Sequence, residues 1–130
     1  MAEAQAAVIA RLFSNRVSLP SEQEMQAWEQ EKYDETGGGR NFHLLNFPKD
    51  ANYINAMYDW AMSAPDADSV GKKPPRWGEK QYWLRERFPA IKKAFQDRGE
   101  DRHNVRTLEE LGFDFDEYME QKLIESKSLL

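Results

Sequence analysis

The chain has no cysteine and only two histidines in 130 residues. The first absence excludes disulfides, zinc–thiolate centres, iron–sulfur clusters and cysteine nucleophiles. The second makes any metal site depend on carboxylates, because His43 and His103 lie in different segments. Walker A, G-x-G-x-x-G and G-x-S-x-G sequences are all missing, which removes the phosphate-cradling loop and the serine-hydrolase elbow. Neither a cofactor nor a bound metal is therefore expected.

Long apolar runs are also lacking. Ala6–Ala10 is far too short for a bilayer, Glu3 stands where a secretory leader carries Lys or Arg, and no Asn-x-Ser/Thr sequon occurs. These features predict no membrane association and a cytoplasmic location. The 18 basic residues are scattered among 23 acidic ones for a net charge of −5, and the local knot Lys72, Lys73 and Arg76 is interrupted by Pro74 and Pro75. That pattern carries no electrostatic footprint for nucleic acid.

What remains is enough for a core. Apolar residues make up 40% of the chain and aromatics 12%, which suits one domain spanning residues 1–130. Val8, Ile9, Leu12 and Phe13 give the Ala-rich Ala2–Asn15 stretch a strongly apolar helical face. Ser21 and Glu24 form a capping box for a second helix bearing Met25, Trp28 and Lys32 on one stripe, and Gly37-Gly38-Gly39 ends it. Phe42–Phe47 reads as a short strand or an extended segment closed by Pro48.

Asp50 is the expected N-cap of a third helix, in which Ile54, Met57, Tyr58, Ala61 and Met62 recur at helical spacing. A Pro-rich loop is predicted over 65–78. Glu79–Arg87 resumes a helix that Pro89 breaks or kinks, and a further helix with Ile91 and Phe95 on its buried side runs to Gly99. Thr107–Glu110 opens a short turn ended by Gly112, and Asp114 or Asp116 caps a last helix carrying Tyr118, Met119 and Leu123. The expected architecture is mostly α: a single small irregular helical domain with long loops and little or no sheet.

Candidate chemistry is sparse. The glycine trio follows a helix where a dinucleotide loop follows a strand, so it reads as a turn. Asp114, Asp116 and Glu117 surround a helix start, where acids meet the helix dipole, and their spacing is not that of a calcium loop. His43, between Phe42 and Leu44, is expected to be partly buried and is the candidate general acid or base. Tyr58, Trp60, Trp77, Tyr82 and Trp83 fall within fewer than thirty residues, as core filling or as the wall of a pocket for an apolar small molecule.

Several strings occur together and in order: Ala4-Gln5-Ala6-Ala7-Val8-Ile9-Ala10-Arg11, Leu19-Pro20-Ser21 with Met25 and Trp28, Phe42-His43 with Tyr53-Ile54, Trp77-Gly78-Glu79-Lys80, Arg85-Glu86-Arg87-Phe88-Pro89 and Thr107-Leu108-Glu109-Glu110-Leu111-Gly112-Phe113. They resemble the C-terminal part of fungal flavin-containing monooxygenase-like proteins. The resemblance implies an upstream location for both nucleotide-binding glycine motifs, and no FAD- or NADPH-binding signature or catalytic residue is carried onto this chain. It also implies that the apolar helix over residues 1–15 packs on a larger body. Ala2–Phe13 would then meet a flavoprotein partner or a second copy of the chain.

Two functions follow as expectations. One is a cofactor-free cyclase or isomerase acting on an apolar small molecule in fungal secondary metabolism. The other is a non-catalytic subunit, or a truncated remnant, of a flavin-containing monooxygenase.

Overall fold

The computed structural model describes residues 1–128 and contains no strand among them. The fold is all-α. Its helices are α1 (Ala2–Phe13), α2 (Glu22–Thr36), the single turn α3 (Gly39–Phe42), α4 (Lys49–Met62), α5 (Glu79–Asp97) and α6 (Phe115–Ser128), with 3₁₀ turns at Gly99–Asn104 and Glu109–Leu111. The chain groups into two compact units, Met1–Trp77 and Gly78–Leu130.

In the first unit α1 packs on α4. Ala4 and Val8 are buried on α1, and Ala51, Ile54 and Ala61 on α4. Spacings of three, four and seven residues put each set on one helical face, and the alanines allow the two backbones to approach closely. The third buried residue of the α1 face is Arg11. Contrary to the apolar stripe expected there, Ile9 is 49% exposed and Phe13 86% exposed. The α4 surface is met by the line Ala4–Val8–Arg11, which leaves Ile9 and Phe13 on the other side of α1.

Arg11 tolerates burial through backbone oxygens. Its Nη1 donates to Ala7 O at 3.0 Å and its Nη2 to Lys72 O at 3.2 Å. Arg16 holds the same loop from outside: Nε donates to both Asp66 carboxylate oxygens at 2.9 and 3.1 Å, and Nη2 to Val70 O at 2.7 Å. Arg11 on α1 and Arg16 in the segment just after it thus fasten the irregular 65–78 loop. Asn55 fixes its far end, donating to Trp77 O at 3.0 Å and accepting from Trp77 N at 2.8 Å.

α2 has no buried residue and is stabilised at its ends and along its surface. Ser21 Oγ accepts from Glu24 N at 3.2 Å, and Glu24 Oε2 accepts from Ser21 N at 2.8 Å, the reciprocal pair that satisfies two orphan helix donors. Gly37, at φ 73°, ends the helix in the left-handed region. The segment expected as a strand or extended piece instead begins inside α3 and continues as irregular chain through a cis Phe47–Pro48 bond. Asp50 lies in the first turn of α4, not at its cap, since the helix starts at Lys49. Its Oδ1 accepts from the Ala51 N–H at 2.8 Å.

In the second unit α5 is one helix that continues through Pro89, so of the break or kink expected there the break, with a separate following helix, does not occur. Pro89 removes one N–H from the ladder, and the nineteen-residue helix has enough turns on both sides to continue. Phe95 is exposed, not buried. Trp83 is the buried anchor, meeting Phe115 edge-on at 5.5 Å and Tyr118 at 6.0 Å between ring centroids. The Arg87 guanidinium lies 5.2 Å from the Trp83 ring and 4.9 Å from that of Tyr118, adding cation–π attraction. Asp114 is the residue that caps α6: Oδ1 accepts from Asp116 N at 2.9 Å and Glu117 N at 3.1 Å.

Candidate apolar groove between α2 and α4

Because α2 buries nothing, its apolar stripe is left facing a hollow. Two adjoining lobes share Trp28, Phe42, Tyr53 and Ala56 in their walls. One lobe encloses about 810 Å³ and adds Leu19, Met25, Met57 and Trp60. The other encloses about 780 Å³ and adds His43, Lys32 and Gln5, among others. Volumes of this order suit a small organic molecule. The first lobe is mainly hydrocarbon and aromatic, with Glu24 and Glu29 also in its wall, and most polar groups gather in the second.

The geometry of that polar end follows from local structure. Tyr53 projects from α4 one helical turn after Lys49, and its hydroxyl accepts from Gln5 Nε2 at 3.0 Å. The bond leaves the phenolic O–H as a donor. His43 ends α3, where its backbone N–H donates to Arg40 O at 3.2 Å, and its ring meets Phe42 edge-on at 5.3 Å. His43 is exposed at the rim instead of partly buried. In a one-turn helix adjacent side chains point apart, and Phe42 takes the inward position. Lys49 and Lys32 both donate to Glu35, and these bonds, that from Lys49 foremost, hold the Glu35 carboxyl below the ordinary carboxylate range.

The five aromatics read from the sequence as core filling or as a pocket wall fall in both units. Trp60 lines the groove. Tyr58 lies beneath the Arg76 guanidinium, 5.1 Å from its ring centroid, with Arg76 also paired to Asp59. Trp77 is held by its backbone to Asn55. Tyr82 and Trp83 belong to the second unit. The residues that sequence reasoning missed are Tyr53, Met57 and Phe42. Their signal was the α2 stripe Met25, Trp28 and Lys32, all three of which line the groove.

A flavin or nicotinamide dinucleotide needs a glycine cradle for its phosphates, and the glycine trio does not fit that task. A Cβ on Gly38 would fall 2.4 Å from the Tyr33 ring. The close approach that glycine permits here is to a tyrosine of the preceding helix. Nor do the carboxylates gather for a metal: among the described residues no group of three or more His, Asp or Glu side chains could hold one. No helix among them is long and apolar enough to cross a membrane.

Fold and groove together define a small all-α chain with an apolar cleft and no dinucleotide cradle in the described residues. No protein-family model matches it. It is similar to a flavin-containing monooxygenase of Aspergillus flavus, with 30% identity over 89 residues, which is 66% of this chain and 18% of that protein. The chain thus spans less than a fifth of the monooxygenase it matches. The likeness is of the kind anticipated from the ordered strings.

Proposed function

We propose that the chain binds an apolar small molecule in the α2–α4 groove and rearranges it by proton transfer, as a cofactor-independent cyclase or isomerase of secondary metabolism. The observation that carries this reading is the presence of His43 and Tyr53 in the wall of one lobe while the adjoining lobe is apolar. The hydrocarbon lobe would hold and orient the substrate. The His43 imidazole would take a proton from a carbon next to a carbonyl, and the Tyr53 hydroxyl would donate to the enolate oxygen that forms. Return of the proton at a different carbon gives an isomer; attack by the enolate carbon on a second carbonyl breaks its C=O π bond and closes a ring, and the resulting alkoxide takes the proton back from the imidazolium. General acid–base assistance of this kind contributes about 10²–10⁴-fold, and orientation contributes further.

The test is conversion by the purified protein, with no flavin or nicotinamide added, of the apolar intermediate that accumulates when its gene is deleted. The reading expects conversion by the wild type and at least a hundredfold loss in His43→Ala with an unchanged circular dichroism spectrum. Deletion without any accumulated intermediate, or full activity in His43→Ala, would overturn it.

A second reading draws on the exposure of Ile9 and Phe13 on α1 and on the chain's match to a small part of a much longer monooxygenase. In that reading Ala2–Phe13 docks on a flavoprotein, and the chain is a non-catalytic subunit or remnant. Co-purification of a flavoprotein with the wild type but not with Phe13→Asp would favour it over catalysis by the chain alone.

A further inference from the structure

A separate cleft lies where α1 meets the 65–78 loop. It encloses about 280 Å³, with Ala6, Ala7, Ala10 and Pro74 among its walls, and four cationic side chains line it: Arg11, Arg16, Lys72 and Lys73. Glu3 is the one carboxylate among the lining residues. In a chain of net charge −5, this convergence runs against the overall balance.

Arg11 is the least expected member. It is 3% exposed, its two partners are neutral carbonyl oxygens, and its Nε has no hydrogen-bond partner. A buried guanidinium ordinarily meets a carboxylate or another anion. Asp66, the nearby acid, is occupied by Arg16 through both carboxylate oxygens. The remaining ion pairs are at the mouth: Lys72 with Glu3 and Lys73 with Asp68, each at 2.7 Å between largely solvated side chains. Exposed pairs like these are weak and rearrange readily, so an arriving anion could take both ammonium groups.

The loop is also shaped for close approach. Gly71 sits at φ 84°, and a Cβ there would lie 3.3 Å from Arg16 Nη1 and 3.6 Å from Arg11 Nη2. Glycine at this position leaves room beside both guanidinium groups.

We propose that this cleft is an oxyanion site, taking a phosphate or carboxylate group of a small ligand between Arg11, Arg16, Lys72 and Lys73. Inorganic phosphate and succinate are the probes, titrated at constant ionic strength into the ¹⁵N-labelled full chain, with sodium chloride as the control. The expected result is saturable shifts at Gly71, Lys72 and Lys73 with at least one of the two anions, weakened tenfold or more in Lys72→Ala/Lys73→Ala. Phosphate alone, or succinate alone, identifies which oxyanion is preferred and supports the site. Gly71→Ala gives a second measure and should weaken the same anion while the remaining amide spectrum is retained. No saturable shift with either anion, shifts equal to those of chloride, or unchanged affinity in the double lysine variant would overturn the proposal. The groove reading is independent of these outcomes.

Discussion

The two compact units solve the burial problem in opposite ways. In Met1–Trp77 the core is built mainly from alanines, Ala4, Ala51, Ala61, Ala64 and Ala67, with Val8 and Ile54, and several large side chains are left exposed, Trp28 to 60%. In Gly78–Leu130 one large residue, Trp83, is buried among aromatic rings. A core of alanines brings two helices together but cannot enclose tryptophans. The first unit therefore has aromatic surface available for a groove, and the second gathers Phe115 and Tyr118 around Trp83 while leaving Phe88 and Phe95 exposed.

The largest effect expected from this contrast is at Trp83. Trp83→Ala removes the only buried residue of α5 and should destabilise the second unit by about 3–5 kcal/mol in urea unfolding. Trp83→Phe should cost far less, because Nε1 has no partner to lose. A Trp83→Ala loss below about 1 kcal/mol would mean that Trp83 does not anchor the second unit. Next is Ile54→Ala, expected to cost about 2–4 kcal/mol, whereas Trp28→Ala on the exposed stripe should change stability by no more than about 0.5 kcal/mol. Equal costs at Ile54 and Trp28 would mean that α2 is packed after all.

Smaller again is Arg16→Ala, because its partner Asp66 is 42% exposed and solvent screens the pair. Increased protease cleavage within 65–73 would report the released loop.

The smallest effect expected is the response to acid. The Ser21 hydroxyl and backbone lower the pKa of Glu24, Lys49 and Lys32 lower that of Glu35, and Arg16 lowers that of Asp66. Carboxyls depressed in the folded state contribute stability above their unfolded values and lose it as pH falls through the folded ones. The ordinary values here are 4.5 for Glu and 3.8 for Asp. The urea midpoint should hold steady from pH 7 to about 5 and fall below 4.5, more steeply in wild type than in Glu35→Gln.

Much of this fold was legible because local rules and tertiary packing agree. Ser21 with Glu24 announced the start of α2, Gly37 its end, and Ile54 with Ala61 the buried line of α4. Pro89 does not end its helix, because a proline's lost hydrogen bond is a local cost, and a nineteen-residue helix can absorb it. Arg11 was unreadable for a different reason. Its burial depends on the carbonyl of Lys72, sixty-one residues away, and nothing near Arg11 in sequence encodes that partner. The groove was half legible: the stripe Met25, Trp28 and Lys32 was plain, but stripes normally mark core, and only the structure leaves this one uncovered. Similarly, the closeness of Tyr58, Trp60, Trp77, Tyr82 and Trp83 along the chain did not announce that Trp60 lines the groove while Trp83 is buried against Phe115 and Tyr118.

The claim that matters most is that the α2–α4 groove is a binding site. Titration with N-phenyl-1-naphthylamine, an uncharged apolar fluorophore, tests it directly. Wild type should give saturable fluorescence enhancement, Trp28→Ala should weaken binding tenfold or more, and Phe13→Ala on the outer side of α1 should leave it unchanged. Binding that survives Trp28→Ala intact, or that disappears with Phe13→Ala, would contradict the account.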